Sequence, residues 1–168
     1  KTYLCKKGFT MSFNLTKDFI QTVEREVQAQ NIAFVQEQVL PLHPADISEI
    51  LGEIDLACAK YIFDQLENEK AAQVLLELGE DQREQLLSDY SSQEIAEELI
   101  ENLDSDDAAY ILSELSEDQK EEVLSYVEDI QQASDIVDIL QYEEDTAGAI
   151  MAKEMICVRE DWSVVECI

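Results

Sequence analysis

The sequence predicts an all-α chain, a superhelix (α-solenoid) of short helices behind a leading helix, and three observations carry that expectation. Two apolar residues four apart recur every twelve or thirteen positions through the middle hundred residues. The period-two alternation of a half-buried strand is absent. Proline is confined to positions 41 and 44 and glycine to 8, 52, 79 and 148, so long stretches carry no helix breaker.

Taken in order, Leu15, Phe19, Val23 and Val27 form an i, i+4 row that marks a leading helix ending before Pro41. Pro44, after His43, suits the first position of the next helix. The recurring pairs then run Ile50/Ile54, Ile62/Leu66, Val74/Leu78, Leu86/Tyr90, Leu99/Leu103, Ile111/Leu115, Val123/Val127 and Ile136/Leu140. A period of twelve leaves room for nine or ten helical residues and a short turn. Glu80-Asp81-Gln82-Arg83-Glu84-Gln85-Leu86-Leu87-Ser88 is echoed 37 residues later by Glu117-Asp118-Gln119-Lys120-Glu121-Glu122-Val123-Leu124-Ser125, so three short units form one larger one. The turns hold helix-start residues: Ser116 with Gln119 has capping-box spacing, and Ser105 or Asp104 can cap the helix that contains Tyr110 and Leu115. Helices this short are marginal alone, so each must bury its stripe against its neighbours.

The 168 residues carry 39 Asp+Glu against 11 Lys+Arg, a formal charge of -28. The excess is local. Residues 46–145 hold 31 acidic and 4 basic side chains, while 1–45 sum to +1 and 146–168 to -2. Hydrophobic residues still make up 46 %, enough for a folded domain rather than an acidic tail. Such a field repels nucleic acid and anionic lipid, so the expected partners are cationic. The longest stretch free of charged residues, Val27 to Gln36, has ten residues, about half of a membrane-crossing helix, so no direct membrane insertion is expected. One histidine and four scattered cysteines (Cys5, Cys58, Cys157, Cys167) supply too few ligands for a Cys/His zinc site and fit a reducing cytosol. Met11 is a candidate initiator with an added stretch ahead of it.

The acidic residues suggest cation binding by repulsion alone. Like charges roughly 7 Å apart repel by about half a kcal/mol even in water, and dozens of such pairs oppose a compact state of only ~5–15 kcal/mol stability. Mg²⁺ and Ca²⁺ take oxygen ligands, and Mg²⁺ keeps several waters while using one or two carboxylates, so loose, water-mediated sites are expected. Asp104-Ser105-Asp106-Asp107 is not an EF-hand loop: the glycine position is Ala109 and the twelfth is Leu115. With no nucleophile motif and no glycine-rich phosphate loop, the carboxylates do not read as an enzyme. Cys58, beside alanines, reads as a small buried residue.

Several stretches resemble the cytosolic part of the MgtE magnesium transporters: Leu42-His43-Pro44-Ala45-Asp46-Ile47, Lys70-Ala71-Ala72-Gln73-Val74-Leu75, Leu103-Asp104-Ser105-Asp106-Asp107-Ala108-Ala109 and, most specifically, Tyr142-Glu143-Glu144-Asp145-Thr146-Ala147-Gly148-Ala149-Ile150-Met151. Val158 to Glu166 is similar to the first strand and helix start of the CBS domain that follows in that family. The resemblance implies a leader and helix over 1–40, an acidic superhelical N domain over 41–141, a connector over 142–152, and over 153–168 the start of a truncated CBS-type α/β domain. It implies a fragment of a longer protein whose membrane domain conducts Mg²⁺ as a homodimer. In that protein Mg²⁺, weakly bound between the N and CBS domains at the cytoplasmic face of the membrane, screens acidic surfaces and favours the closed state. Asp106, with Asp107 beside it, matches the family's interface ligand, and a backbone carbonyl near Gly148 or Ala149 matches a ligand from the connector. Two positions depart from the family: Gln73 stands where an acidic residue is frequent, though its carbonyl oxygen can still bind, and Tyr110 stands where a second aspartate is common. The rival reading from the residues is a protein–protein interaction scaffold without metal sensing, since stacked short helices offer extended faces; an acidic mimic of nucleic acid is a third.

Overall fold

The computed structural model describes residues 15–143, 146–154 and 162, and every regular element among them is helical. Met11, Cys5, Cys157, Cys167 and nearly all of the expected CBS-type stretch lie outside the described residues. The chain divides into two compact units, 1–65 and 66–168.

In the first unit, α1 (Lys17–Gln28) starts at Thr16, whose side chain accepts from the Phe19 N–H. Its expected stripe buries Val23 and Val27. α2 (Ile32–Phe34) runs on into a wide π-type turn, Val35–Val39, and buries Val35 and Val39. Phe19 and Phe34 meet with ring centroids 6.5 Å apart. α3 (Pro44–Glu53) begins as expected, Pro44 in its first turn and His43 at the cap, where the imidazole Nδ1 accepts from Ala45 N–H at 3.3 Å. The lone histidine thus has a structural task. α4 (Leu56–Phe63) packs on α1 and α3 and buries Cys58, whose thiol is pushed up by burial first and then by the charges of Asp55 and Glu24.

The second unit holds α5 (Asn68–Glu77), α6 (Glu80–Leu87), α7 (Ser92–Glu94, continuing through a π-type turn Ile95–Leu99 and a tight turn Ile100–Asn102), α8 (Ser105–Ser113), α9 (Glu117–Tyr126) and α10 (Ile130–Ile139). α5 and α9 pack on the widened part of α7, and α8 packs on α10. The first member of every recurring apolar pair is buried. The second member, however, lies at or just past the end of its helix, as with Leu78, Val127 and Leu140 at the C-caps of α5, α9 and α10. Each pair therefore joins the helix core to the turn below it. Two steps, Leu86 to Leu99 and Val123 to Ile136, are thirteen residues rather than twelve; the first spans the π-type turn of α7, and the second runs between the regular helices α9 and α10.

Arg83 on α6 knits these layers together. It is 2 % exposed, the only buried charged side chain among the described residues. Nη1 donates to the carbonyls of Leu75 (3.3 Å), Leu76 (3.2 Å) and Leu78, which end α5. Nε donates to Glu114 Oε2 at 2.8 Å and Nη2 to Tyr110 Oη at 2.9 Å, both on or beside α8. Burial works against its charge, and the Glu114 and Tyr110 contacts outweigh it and hold the group above its usual range. Arg83→Met would leave Glu114 and three carbonyls without their donor, so we expect a loss of about 3–5 kcal/mol in urea unfolding. The double variant with Glu114→Gln should recover part of that loss.

Candidate functional site

The sequence of the α7–α8 junction dictates an acidic helix start. Asp104 takes the extended conformation of an N-cap, and Asp106 and Asp107 fall in the first turn of α8, where the macrodipole favours anions. The cap itself departs from the expected pattern. Asp104 makes no side-chain capping bond, and Ser105, fully buried, lies inside the helix. The capping acceptor comes from 49 residues away: Glu154 Oε1 accepts from Ser105 N–H at 2.9 Å, and Oε2 accepts from Ser105 Oγ at 3.2 Å. The Lys153 N–H donates to Ser105 Oγ at 3.3 Å. Lys153 Nζ in turn pairs with Asp138 Oδ2 at 2.8 Å and Asp135 Oδ1 at 3.7 Å on α10. By contrast Ser116 caps α9 as expected, accepting from Gln119 N–H at 3.4 Å and bonding its side-chain oxygen at 2.9 Å.

Four carboxylates therefore surround one helix start. Burial raises the Asp107 carboxyl above its ordinary value, and the charges of Asp106, Asp104 and Glu154 raise it further. Asp106, Asp107 and Ala149 line a single cavity of about 480 Å³, together with Tyr110, Lys120 and Tyr142. Gly148, in the turn that carries Ala149, packs under the Tyr142 ring: a Cβ there would meet ring atoms Cγ and Cε1 at 2.6 and 2.7 Å. That glycine is required by close approach. Gln73 is exposed on α5 and is not among the residues that line the cavity. The cavity thus brings together Asp106, Asp107 and Ala149, with Gly148 next to Ala149 in the same turn but not lining it, and leaves Gln73 outside that group.

Among the described residues, no three His, Cys, Asp or Glu side chains converge closely enough to cage an ion. Two carboxylate residues, Asp106 and Asp107, line the cavity, the number that Mg²⁺ commonly takes from a protein. Sequence reasoning missed Lys153, Glu154 and Arg83, and it took Ser105 as a candidate cap where Ser105 is instead the residue being capped. Lys153 and Glu154 reach Ser105 across 48 and 49 residues, separations that no local spacing encodes. Arg83 carried one available signal, as one of only four cations in the acidic body.

Two outcomes follow from this geometry. Because folding raises the Asp107 pKa, the folded chain binds that proton more tightly than the unfolded chain; Asp107 opposes folding increasingly as pH rises from the unfolded value through the folded one. Asp107→Asn should melt a few degrees above wild type at pH 7 without divalent cations, and the gap should close as pH falls below the carboxylate range. Gly148→Ala should displace the Tyr142 ring at a cost of about 1 kcal/mol, read as a lower melting temperature and shifted Tyr142 ring resonances.

Comparison with known proteins agrees with this architecture. A solved structure described as the crystal structure of the soluble part of a magnesium transporter aligns with a TM-score of 0.70 at 23 % identity, covering 83 % of this chain and 54 % of its own. The chain thus spans about half the length of that protein, and the likeness supports the helical fold of the described residues. No protein of curated function matches it. Residues 42–145, well over half of the chain, match the family described as the MgtE intracellular N domain. On the strength of that match, this chain belongs to the MgtE intracellular N domain family.

Proposed function

We propose that this chain is the Mg²⁺-sensing regulatory domain of a magnesium transporter, lying at the cytoplasmic face of the membrane ahead of CBS and membrane domains that pair as a homodimer. The observation that carries the reading is the meeting of Asp106 and Asp107 with the Ala149 turn on one cavity, where burial first and then the neighbouring carboxylates raise the Asp107 pKa. Asp106 and Asp107 supply the anionic oxygens, and the backbone around Gly148 and Ala149 supplies a carbonyl. Gln73 is a further amide oxygen on the exposed side of α5. A hydrated divalent ion screens carboxylates that repel one another and so favours the assembly in which they are closest. The role is binding and regulation, not catalysis. No helix among the described residues is long and apolar enough to cross a membrane.

Mg²⁺ that binds only the folded state adds about 1.4 kcal/mol at ten times its dissociation constant. Millimolar Mg²⁺ should therefore raise the melting temperature by several degrees beyond NaCl of matched ionic strength. Asp106→Asn should remove much of that excess. Equal shifts from the two salts would overturn the sensor reading and favour an interaction scaffold.

A further inference from the structure

We infer that residues 146–154 form a strap latched onto α8 and α10 by Ser105, Lys153 and Glu154, and that this latch closes one wall of the acidic cavity. The strap begins as a turn in which Thr146 Oγ1 donates to the Glu143 carbonyl at 2.8 Å and Ala149 N–H donates to the Thr146 carbonyl at 3.1 Å. That turn sets Ala149 and Ile150 against the cavity. The chain then runs without regular structure to Lys153 and Glu154.

Both latch residues answer a need that α8 and α10 leave open. The Ser105 N–H is among the first-turn donors with no partner inside its own helix, and Asp104 at the cap does not satisfy it. Ser105 is fully buried, so water is a poor substitute, and Glu154 takes both its N–H and its hydroxyl. Asp135 and Asp138 present like charge on one face of α10, and Lys153 lies between them. One adjacent pair of opposite charge thus fits two acidic helices at once: the anion goes to the helix start, and the cation goes to the carboxylates. Lys153 is a tethered counter-cation built into the chain.

The latch carries a consequence for the cavity. The Glu154 carboxylate sits at the same helix start as Asp104, Asp106 and Asp107, so the strap is drawn in by Ser105 against the like charge of the acidic turn. Releasing Glu154 frees Ala149 and Ile150 from the cavity wall. The acidic turn and the direction in which the chain leaves α10 are therefore one mechanical unit. The latch rests on Glu154 and Lys153 and does not depend on cation binding at Asp106.

Amide hydrogen exchange of the whole 168-residue chain, in buffer free of divalent cations, tests this directly because the Ser105 N–H is itself the latch bond. Glu154→Ala should speed exchange at Ser105 about tenfold or more, with a smaller rise across 149–153, while Val74 and Ile136 stay protected. Glu154→Gln, which keeps one acceptor, should fall between wild type and Ala. Lys153→Met should raise exchange over the same strap. An unchanged Ser105 amide in Glu154→Ala, or a rise shared equally by all helices, would overturn the latch. If Mg²⁺ leaves exchange unaltered in wild type while Glu154→Ala still frees Ser105, the sensor reading fails and the latch stands.

Discussion

A buried guanidinium in a strongly anionic body is the contact on which the second unit depends. Arg83 reaches the end of α5 through three carbonyls and reaches α8 through Glu114 and Tyr110. The carbonyls that end a helix carry partial negative charge and lack partners within it, so a planar cation with several donors answers them better than a neutral side chain. The Tyr110 ring also lies 5.0 Å from the guanidinium carbon. Tyr110 in turn borders the acidic cavity, so the group that fixes the packing also fixes one side of the site.

The same device recurs with weaker chemistry. Gln132 on α10 donates to the carbonyls of Ile100 and Leu103 at 3.2 and 2.9 Å, closing the end of α7. Glu154 closes the start of α8 from the other polarity. Short helices expose a large share of their backbone groups at their ends, so a stack of them must find many end partners. Here those partners are supplied by later elements, and this ties successive layers together beyond the burial of apolar stripes. It also explains how a chain with so few cations tolerates its charge: Arg83 and Lys153 are spent at places where two acidic elements meet.

Much of the architecture was legible. The apolar pairs located every helix of the acidic body because burial of one face is a periodic demand. The thirteen-residue steps did not mark the π-type turn, since Leu86 to Leu99 spans one and Val123 to Ile136 does not. The pattern did not tell where each helix ends: the second member of a pair can stay on the buried side whether it closes the helix or opens the turn. At the site, Asp106 and Asp107 were recognisable as an acidic helix start, and Gly148 and Ala149 as part of a distinctive connector. The capping of Ser105 by Glu154 was not recognisable, because Asp104 holds the local position that normally does that work.

The 37-residue repeat draws the line between the two kinds of information. Arg83 and Lys120 are copies of one another in sequence, and composition and spacing alone determined that both stand at the same point of an α-helix. Tertiary structure decided their fates. Arg83 meets Glu114 and Tyr110, whereas the positions 37 residues beyond those two hold Met151 and Ala147; among the described residues Lys120 pairs locally, with Glu117 at 3.0 Å, and borders the cavity. Periodicity is fixed by the residues of one helix and can be read along the chain. The partner of a charge is fixed by whichever distant element packs against it, and that is settled only when the layers come together.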